Sequence, residues 1–205
     1  MKTNTRKNIE LGVLFGLICA IALSFARFDA NCDELRNNVL RLHVIANSDS
    51  DADQQLKLMV RDEILEHTSA VFEGCSDLES AKAIAQDNID MLTKVANSVI
   101  AKHGFDYEAK VEIAERYFDT REYDDFTLPA GNYRSLVVNL GAAKGKNWWC
   151  VVFPCVCVPT AAKGELTDSV SADSAQIAKN SSKYVMKFKT AEIYEDIKQY
   201  FKNKM

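Results

Sequence analysis

Several short motifs of known chemistry are absent from this sequence of 205 residues. It contains no HExxH, no GxSxG and no paired CxxC, and so gives no support for a zinc peptidase, a serine hydrolase or a zinc ribbon. It also lacks an excess of basic residues, because the formal net charge is -4. Since nucleic-acid binding requires a clustered basic face, we expect no nucleic-acid partner.

Two segments resemble ligand-binding loops but lack the residues that define them. Asp49, Asp51 and Asp53 alternate as in an EF-hand loop, yet Gln54 stands where that loop needs glycine and Val60 where it needs glutamate. The segment GAAKGK resembles a phosphate-binding loop, but that loop's first glycine and its final Ser or Thr are missing. We therefore predict no metal and no cofactor.

The acidic segment is better explained as the junction between a strand and a helix. LRLHVIA is β-prone and places alternate apolar residues on one face of a strand. Ser50 and Asp53 then have capping-box spacing, and acidic residues in a first turn suit the helix dipole. We predict a strand over residues 39–46 and a helix over residues 52–69.

The rest of the pattern predicts a single α+β domain, in which antiparallel strands pack with two central helices and a C-terminal helix. Helical periodicity predicts a second central helix over 77–103 and a terminal helix over 190–202. Alternation predicts strands over 107–117, 133–140 and 148–153, the first of which has one solvent-facing side. A short strand is predicted over 184–188, whereas 159–180 is weakly patterned.

The N-terminus has the pattern of an export signal. Basic residues among the first seven positions precede an uncharged run from Leu11 to Ala26. Small residues at Ser24 and Ala26 suit a signal peptidase, so we expect the export machinery to transport the chain and signal peptidase to cleave it near Ala26. The run is slightly short for a membrane span of about 20 residues, and an uncleaved anchor is the alternative. We assign 1–26 to a signal peptide or membrane anchor, 27–38 to a polar lead-in and 39–205 to the exported domain.

Cysteine usage leaves two chemistries open. In an exported domain the cysteines are disulfide candidates, and their odd number leaves at least one free or paired between molecules. The best enzyme hypothesis is a Cys–His hydrolase with Cys150 as nucleophile and His43 as base. However, Cys150 lies in an apolar strand that offers no helix N-terminus or cation to lower a thiol pKa. We therefore favour a structural His43. The cysteines beyond the signal are Cys32, Cys75, Cys150, Cys155 and Cys157.

Two long segments, LRLHVIANSDSDADQQLKLMVRD and LPAGNYRSLVVNLGAAKGKNWWCVVFP, resemble the stage II sporulation protein R family. The resemblance extends from about residue 40 to residue 157. Cys150 and Cys157 match the family's two cysteines around its Phe-Pro turn, which makes them the disulfide candidates. Cys155 departs from the family pattern, because it stands where proline is expected.

The resemblance implies a signalling role and not an enzyme. Members of the family are made in the forespore and exported into the space between the two septal membranes. There they trigger a membrane-embedded aspartic protease, stage II sporulation protein GA, which matures a sigma-factor precursor in the mother cell. The alternative function is an exported Cys–His hydrolase or wall-modifying enzyme.

The two segments also suggest a contact surface for the protease. Adjacent residues of a strand point to opposite faces, so one of Trp148 and Trp149 can fill the core while the other lies at the surface. We expect one tryptophan, with Asn47, Asp49 and the nearby His43, to contact the protease. The competing interpretations are that the tryptophan packs under the helices and that Asn47 and Asp49 only form a turn.

Overall fold

The computed structural model describes residues 2–72, 75, 77–123, 126–154, 169–202 and 204. Within these residues the α+β class predicted from the sequence is confirmed, with helices and strands in one compact fold. A turn of 3-10 helix, Ser181–Lys183, precedes the last helix. The helices and strands are, in chain order, α1 (Lys2–Asn37), β1 (Leu40–Ile45), α2 (Asp51–Val71), α3 (Leu78–Asp87), α4 (Ile89–Lys102), β2 (Ala109–Phe118), β3 (Arg121–Glu122), β4 (Thr127–Leu128), β5 (Gly131–Leu140), β6 (Asn147–Phe153), α5 (Ala172–Lys179) and α6 (Val185–Lys202).

Four of the strands form one mixed sheet in the order β2–β5–β1–β6. β5 is antiparallel to β2 but parallel to β1, and β1 is antiparallel to β6. The parallel pair departs from the expected antiparallel arrangement. Parallel neighbours need a long crossover connection, and three helices and three strands, β2 to β4, lie between β1 and β5 in the chain. At the start of edge strand β2, exposed Lys110 separates buried Ala109 and Val111, as the alternation predicted.

Strand β1 is buried on both faces. Leu40, Leu42 and Val44 lie in the main core, which α2, α3 and α4 cover. The alternate residues Arg41 and His43 are buried on the opposite face, where the end of α1 and α5 contribute to a second, smaller core. The predicted polar face of this strand is therefore an interior face.

Local polar side chains determine where the core helices begin and end. Ser50 caps α2, because its side-chain oxygen accepts a hydrogen bond from the backbone N–H of Asp53 at 3.2 Å. The single helix predicted over 77–103 is wrong, because α3 ends and α4 begins at Asn88. The Asn88 side chain donates to the Ile84 carbonyl at 2.8 Å, a local hydrogen bond that competes with helix continuation.

Both ends of the chain are more helical than the sequence pattern indicated. Residues 27–37, assigned to a polar lead-in, continue α1, and Phe28 and Cys32 on this part of the helix are buried. The strand predicted over 184–188 is wrong, because α6 begins at Val185. The Phe188 ring meets the Phe28 ring edge to face, with 5.2 Å between ring centres. This contact joins α1 and α6, which are far apart in the chain, so local sequence patterns do not reveal it.

Candidate functional site

Two loops meet at one end of the sheet, and we call them the paired loops. The first, residues 47–50, follows β1, and the second, residues 141–146, precedes β6. The Asn47 Oδ1 atom accepts a hydrogen bond from the backbone of the second loop at 2.9 Å, and the Asp49 Oδ1 atom accepts another at 2.7 Å. The two segments that are most distinctive in the sequence therefore form one structure.

Two glycines allow the paired loops to approach this closely. A Cβ atom on Gly145 would overlap the carbonyl oxygen of Ser48, and a Cβ atom on Gly141 would overlap the Asn47 side chain. Gly141 also has a φ of +52°, in the left-handed region that favours glycine. The GAAKG sequence thus serves the packing of this junction.

Asp53 is the centre of the hydrogen bonds beneath the paired loops. Its Oδ2 atom accepts from Asn47 Nδ2 at 3.0 Å and from the Ser48 hydroxyl, and its Oδ1 atom accepts from the Tyr107 hydroxyl at 2.6 Å. Burial alone would raise the pKa of Asp53, but the hydrogen bonds to its carboxylate outweigh burial and lower the pKa. Burial and the adjacent carboxylate raise the pKa of Tyr107. The pair is therefore a neutral phenol donating to a charged carboxylate.

The acidic segment acts as a helix start and a loop junction. The cap predicted at Ser50 is confirmed. Asp53, however, directs its carboxylate to the paired loops, whereas a capping box would direct it back to Ser50. Asp49 accepts from a backbone N–H of the second loop. Among the residues that the structure describes, no group of three or more His, Cys, Asp or Glu side chains could hold a metal ion.

Lys57 connects α2 to the same junction. Its side chain is buried, and its Nζ atom donates to the Lys146 carbonyl at 3.0 Å and to Gln54 Oε1 at 2.6 Å. Burial lowers the pKa of Lys57, although the charge of nearby Asp49 opposes that shift. The second paired loop is thus held by the residues that follow β1 and by α2.

Trp148 and Trp149 point to opposite faces of the sheet, and each is half-buried. Trp148 packs against the main core, and the Arg61 guanidinium lies 4.2 Å from the centre of its ring. Trp149 packs against the second core, where the Arg121 guanidinium lies 4.6 Å from its ring centre. The expectation of one core and one surface tryptophan therefore differs from the structure, in which each ring closes the edge of one core.

His43 is a buried neighbour of Trp149. Its ring centre lies 5.7 Å from that of Phe118 and 6.1 Å from that of Trp149. Neither ring nitrogen has a hydrogen-bond partner among the described residues. Burial lowers the pKa of His43 by more than the nearby Asn147 side chain raises it. The charges of Arg116 and Arg41 lower the pKa further. His43 is therefore a neutral side chain at neutral pH.

Cys150 and His43 lie on opposite faces of the sheet. In the antiparallel pairing of β1 with β6, Leu42 lies opposite Cys150 and His43 lies opposite Trp149. Directly opposed residues share a face, so Cys150 is in the main core with Leu42. The sheet itself separates the nucleophile and base that a Cys–His hydrolase would need. Cys157, the disulfide partner predicted for Cys150, lies outside the described residues.

Three polar residues of this region were not singled out from the sequence. Lys57 is one of several charged residues on a helix, and Tyr107 lies at the start of the strand predicted over 107–117, where its hydroxyl gives no separate signal. Arg41 carried a usable signal, because a charged residue inside the β-prone run LRLHVI is unusual for a strand that is buried on both sides. The sequence alone could not use this signal, because it does not show that both faces of β1 are covered.

Comparisons with known proteins agree on one family. The family model described as stage II sporulation protein R matches residues 36–163, more than half of the chain. Stage II sporulation protein R of Bacillus subtilis (strain 168) is 29% identical over 161 residues, which cover 78% of this chain and 67% of that protein. No solved structure gives a significant match.

Proposed function

Since the chain belongs to the stage II sporulation protein R family, we propose that it is an exported signalling protein that activates a membrane-embedded aspartic protease across the septum during endospore formation. The protease, of the stage II sporulation protein GA type, then matures a sigma-factor precursor of the mother cell. The observation that carries this proposal is the family match over 36–163, joined to an apolar helix at the N-terminus.

Helix α1 supports export from the forespore. It contains a stretch that is long and apolar enough to cross a membrane. Its apolar side chains are exposed as far as Leu23, whereas Phe28, Cys32 and Leu35 are buried in the fold. This change occurs around Ala26, the expected cleavage position. Cleavage there retains the buried residues from Phe28 onward and removes the contacts of Ser24 and Phe25 with α6. The proposed location is the space between the septal membranes.

The proposed contact surface joins the paired loops to one of the two tryptophans, which lie on opposite faces of the sheet. Asp49 is exposed on the first loop, and both indole rings are partly accessible beside an arginine. Partly buried tryptophans next to arginines are typical of interface hot spots. His43 and Asn47 are more enclosed, so their role in this surface is to support Trp149 and the paired loops.

Co-expression of the full chain with the protease and the sigma-factor precursor tests this function. We expect precursor cleavage only when the chain, the protease and the precursor are all present. A precursor that stays intact with all three present would overturn the proposal. Cleavage that occurs without the protease would instead favour an enzyme in the chain itself.

Two substitutions of Asp49 distinguish a direct contact with the protease from a role in the structure of the loop. Asp49→Asn keeps an oxygen that can accept from the second loop but removes the charge, whereas Asp49→Ala removes both. If the charge contacts the protease, Asp49→Asn reduces precursor cleavage without lowering the unfolding temperature. A lost hot spot weakens affinity roughly thirtyfold, or about 2 kcal/mol. Two results together would contradict a contact with the protease. Asp49→Asn would leave precursor cleavage normal, and Asp49→Ala would lose cleavage and unfold at a lower temperature. Asp49 would then serve only the structure of the loop.

The competing function, an exported Cys–His hydrolase or wall-modifying enzyme, has less support. Its proposed pair, Cys150 and His43, is divided by the sheet. A hydrolase built on this pair should lose hydrolysis in both Cys150→Ser and His43→Ala while the fold stays intact. We expect neither variant to change hydrolysis of cell-wall material by the purified chain.

We also propose a disulfide between Cys150 and Cys157. Cys150 is buried near the end of β6, and it is not among the free cysteines of the described residues, which are Cys19, Cys32 and Cys75. We expect peptide mapping under non-reducing conditions to recover Cys150 linked to Cys157. A linked pair of Cys150 and Cys155, or an unmodified Cys150, would contradict this pairing.

A further inference from the structure

A fully buried arginine on the second face of the sheet makes only some of the hydrogen bonds that its guanidinium can donate. Arg41 on β1 has no exposed surface. Its guanidinium lies 3.9 Å from the ring centre of Phe118 and 4.8 Å from that of Tyr133, and its Nη2 atom donates to the Tyr123 hydroxyl at 2.9 Å. The Nε and Nη1 atoms have no hydrogen-bond partner among the described residues. Since a guanidinium stays charged in proteins, this charge is buried without a carboxylate partner among the residues that the structure describes.

Arg41 lines a small cavity between β1, β6 and the turn from β2 to β3. The cavity has a volume of about 30 Å³ and is also lined by Phe118, Asp119, Thr120, Arg121 and Trp149. Asp119 and Arg121 are exposed, so the cavity reaches the surface. The Thr120 hydroxyl is a further buried polar group without a partner among the described residues. The walls thus combine unpaired hydrogen-bond donors with an excess of positive charge.

We propose that this cavity binds the carboxylate group of an acidic side chain from a partner polypeptide. A carboxylate supplies both the missing negative charge and the acceptors that Arg41 and Thr120 lack, and charge-assisted hydrogen bonds of this kind are the strong ones. The cavity is large enough for a small polar group and too small for a bulky anionic metabolite. The proposal concerns ligand binding by this site and holds whichever protein provides the carboxylate, so it does not rest on protease activation.

A neighbouring groove favours a polypeptide over a free small anion. This groove has a volume of about 490 Å³, and Thr120 belongs to its lining as well as to that of the cavity. Val185, Met186 and Phe188 give the groove an apolar wall along the start of α6. Glu122 and Glu192 also line the groove, so the neighbours of the bound acidic residue should be apolar and not acidic. Such neighbours in the groove add contacts that acetate cannot make.

Fluorescence of Trp149 provides a direct test. The chain has two tryptophans, and Trp148→Phe on the opposite face leaves Trp149, in the cavity wall, as the only one. We would titrate this full-length variant, in a mild nonionic detergent, with N-acetylglutamic acid amide, its neutral glutamine analogue, sodium acetate and sodium chloride at constant ionic strength. We expect saturable binding of the glutamic acid compound, weaker binding of acetate and no binding of the glutamine analogue.

Variants of Arg41 decide whether this residue makes the site. Arg41→Met should weaken binding by at least about tenfold, as expected when a charge-assisted hydrogen bond is lost. Arg61→Met, which removes the arginine over Trp148, should leave binding unchanged. If Arg41→Met does not fold, Arg41→Lys provides the comparison, because it keeps the charge but loses the planar set of donors, and it should also weaken binding.

Several outcomes would overturn the proposal. No saturable signal, or equal affinity in the Arg41 variant that folds, would remove the site. Equal responses to chloride and acetate would reduce it to a site for an adventitious ion only. Acetate binding as tightly as the glutamic acid compound would refute the polypeptide source of the carboxylate.

Discussion

Replacing Asp53 is the sharpest test of the network beneath the paired loops. Asp53→Ala removes the acceptor for three hydrogen bonds and leaves their donors on Asn47, Ser48 and Tyr107 without it. Hydrogen bonds to a charged group contribute about 1.5–3 kcal/mol each and are not additive when they share one carboxylate. Because the Asp53 side chain is almost fully enclosed, we expect a loss of about 3–5 kcal/mol in the free energy of unfolding.

Asp53→Asn should cost less but has a distinct signature. The amide keeps the size of the carboxylate and one acceptor oxygen, yet its NH₂ group must face a hydroxyl or an amide donor. We expect a loss of about 1–3 kcal/mol, the cost of leaving a buried polar group unpaired. Asp62→Asn is the matched control, because its carboxylate is exposed in a surface pair with Arg61, and it should change stability by less than about 0.5 kcal/mol.

The pH dependence follows from the lowered pKa of Asp53. A carboxylate whose pKa is lower in the folded state stabilises the protein above the unfolded pKa of about 3.9, and that stability is lost as the pH falls through the folded value. Wild type should therefore lose more stability below about pH 4 than Asp53→Asn does. Urea unfolding followed by tryptophan fluorescence at pH 7 and pH 3 measures this difference. Equal losses for Asp53→Asn and Asp62→Asn at pH 7 would refute the central role of Asp53.

Three further predictions concern backbone packing, a buried imidazole and the N-terminus. Gly145→Ala should destabilise the fold by about 1–3 kcal/mol, because the added Cβ atom would overlap Ser48. Gly104→Ala should cost less, because its Cβ atom meets open space despite a positive φ. Equal unfolding temperatures for the two variants would contradict this. The lowered pKa of His43 means that protonation favours the unfolded state, so stability should fall as the pH drops below about 6.5, the usual histidine value. His43→Phe should show a smaller loss between pH 7 and 5, and an unchanged pH profile would sink the idea. Mass spectrometry of the exported protein should find a chain that begins near Arg27, whereas an intact N-terminus would identify α1 as an anchor.

The periodic parts of the fold were accessible from the sequence. The strands β1, β5 and β6 were predicted to within two residues of their observed ends, because alternation and β-branched or aromatic residues are properties of a few contiguous positions. The helix break at Asn88 was missed, because apolar spacing continues across it while one side chain redirects the hydrogen bonding. The start of α6 was missed because Tyr184, Val185 and Phe188 suit a strand as well as a helix until the contact with Phe28 is known.

The site residues stay a prediction, and the structure shows only where each of them lies. Asn47, Asp49 and the two tryptophans do lie at or beside the junction of β1 and β6. The opposite directions of Trp148 and Trp149 were anticipated from strand geometry. The sequence did not show that both rings are half-buried or that His43 is enclosed. Half-buried aromatic residues give the same local pattern whether they close a core or face a partner.

The sequence by itself determined the apolar N-terminal segment, the family, the cap at Ser50 and the order of most strands and helices, because each of these depends on residues that are close together in the chain. Only the tertiary structure decided that the paired loops join, through hydrogen bonds between residues 95 and 97 positions apart. It also decided that Cys150 and His43 are separated and that Arg41 is buried beside a cavity. The physical reason is that strand register and coverage of the second face set which side chains meet, and both arise from packing between distant parts of the chain.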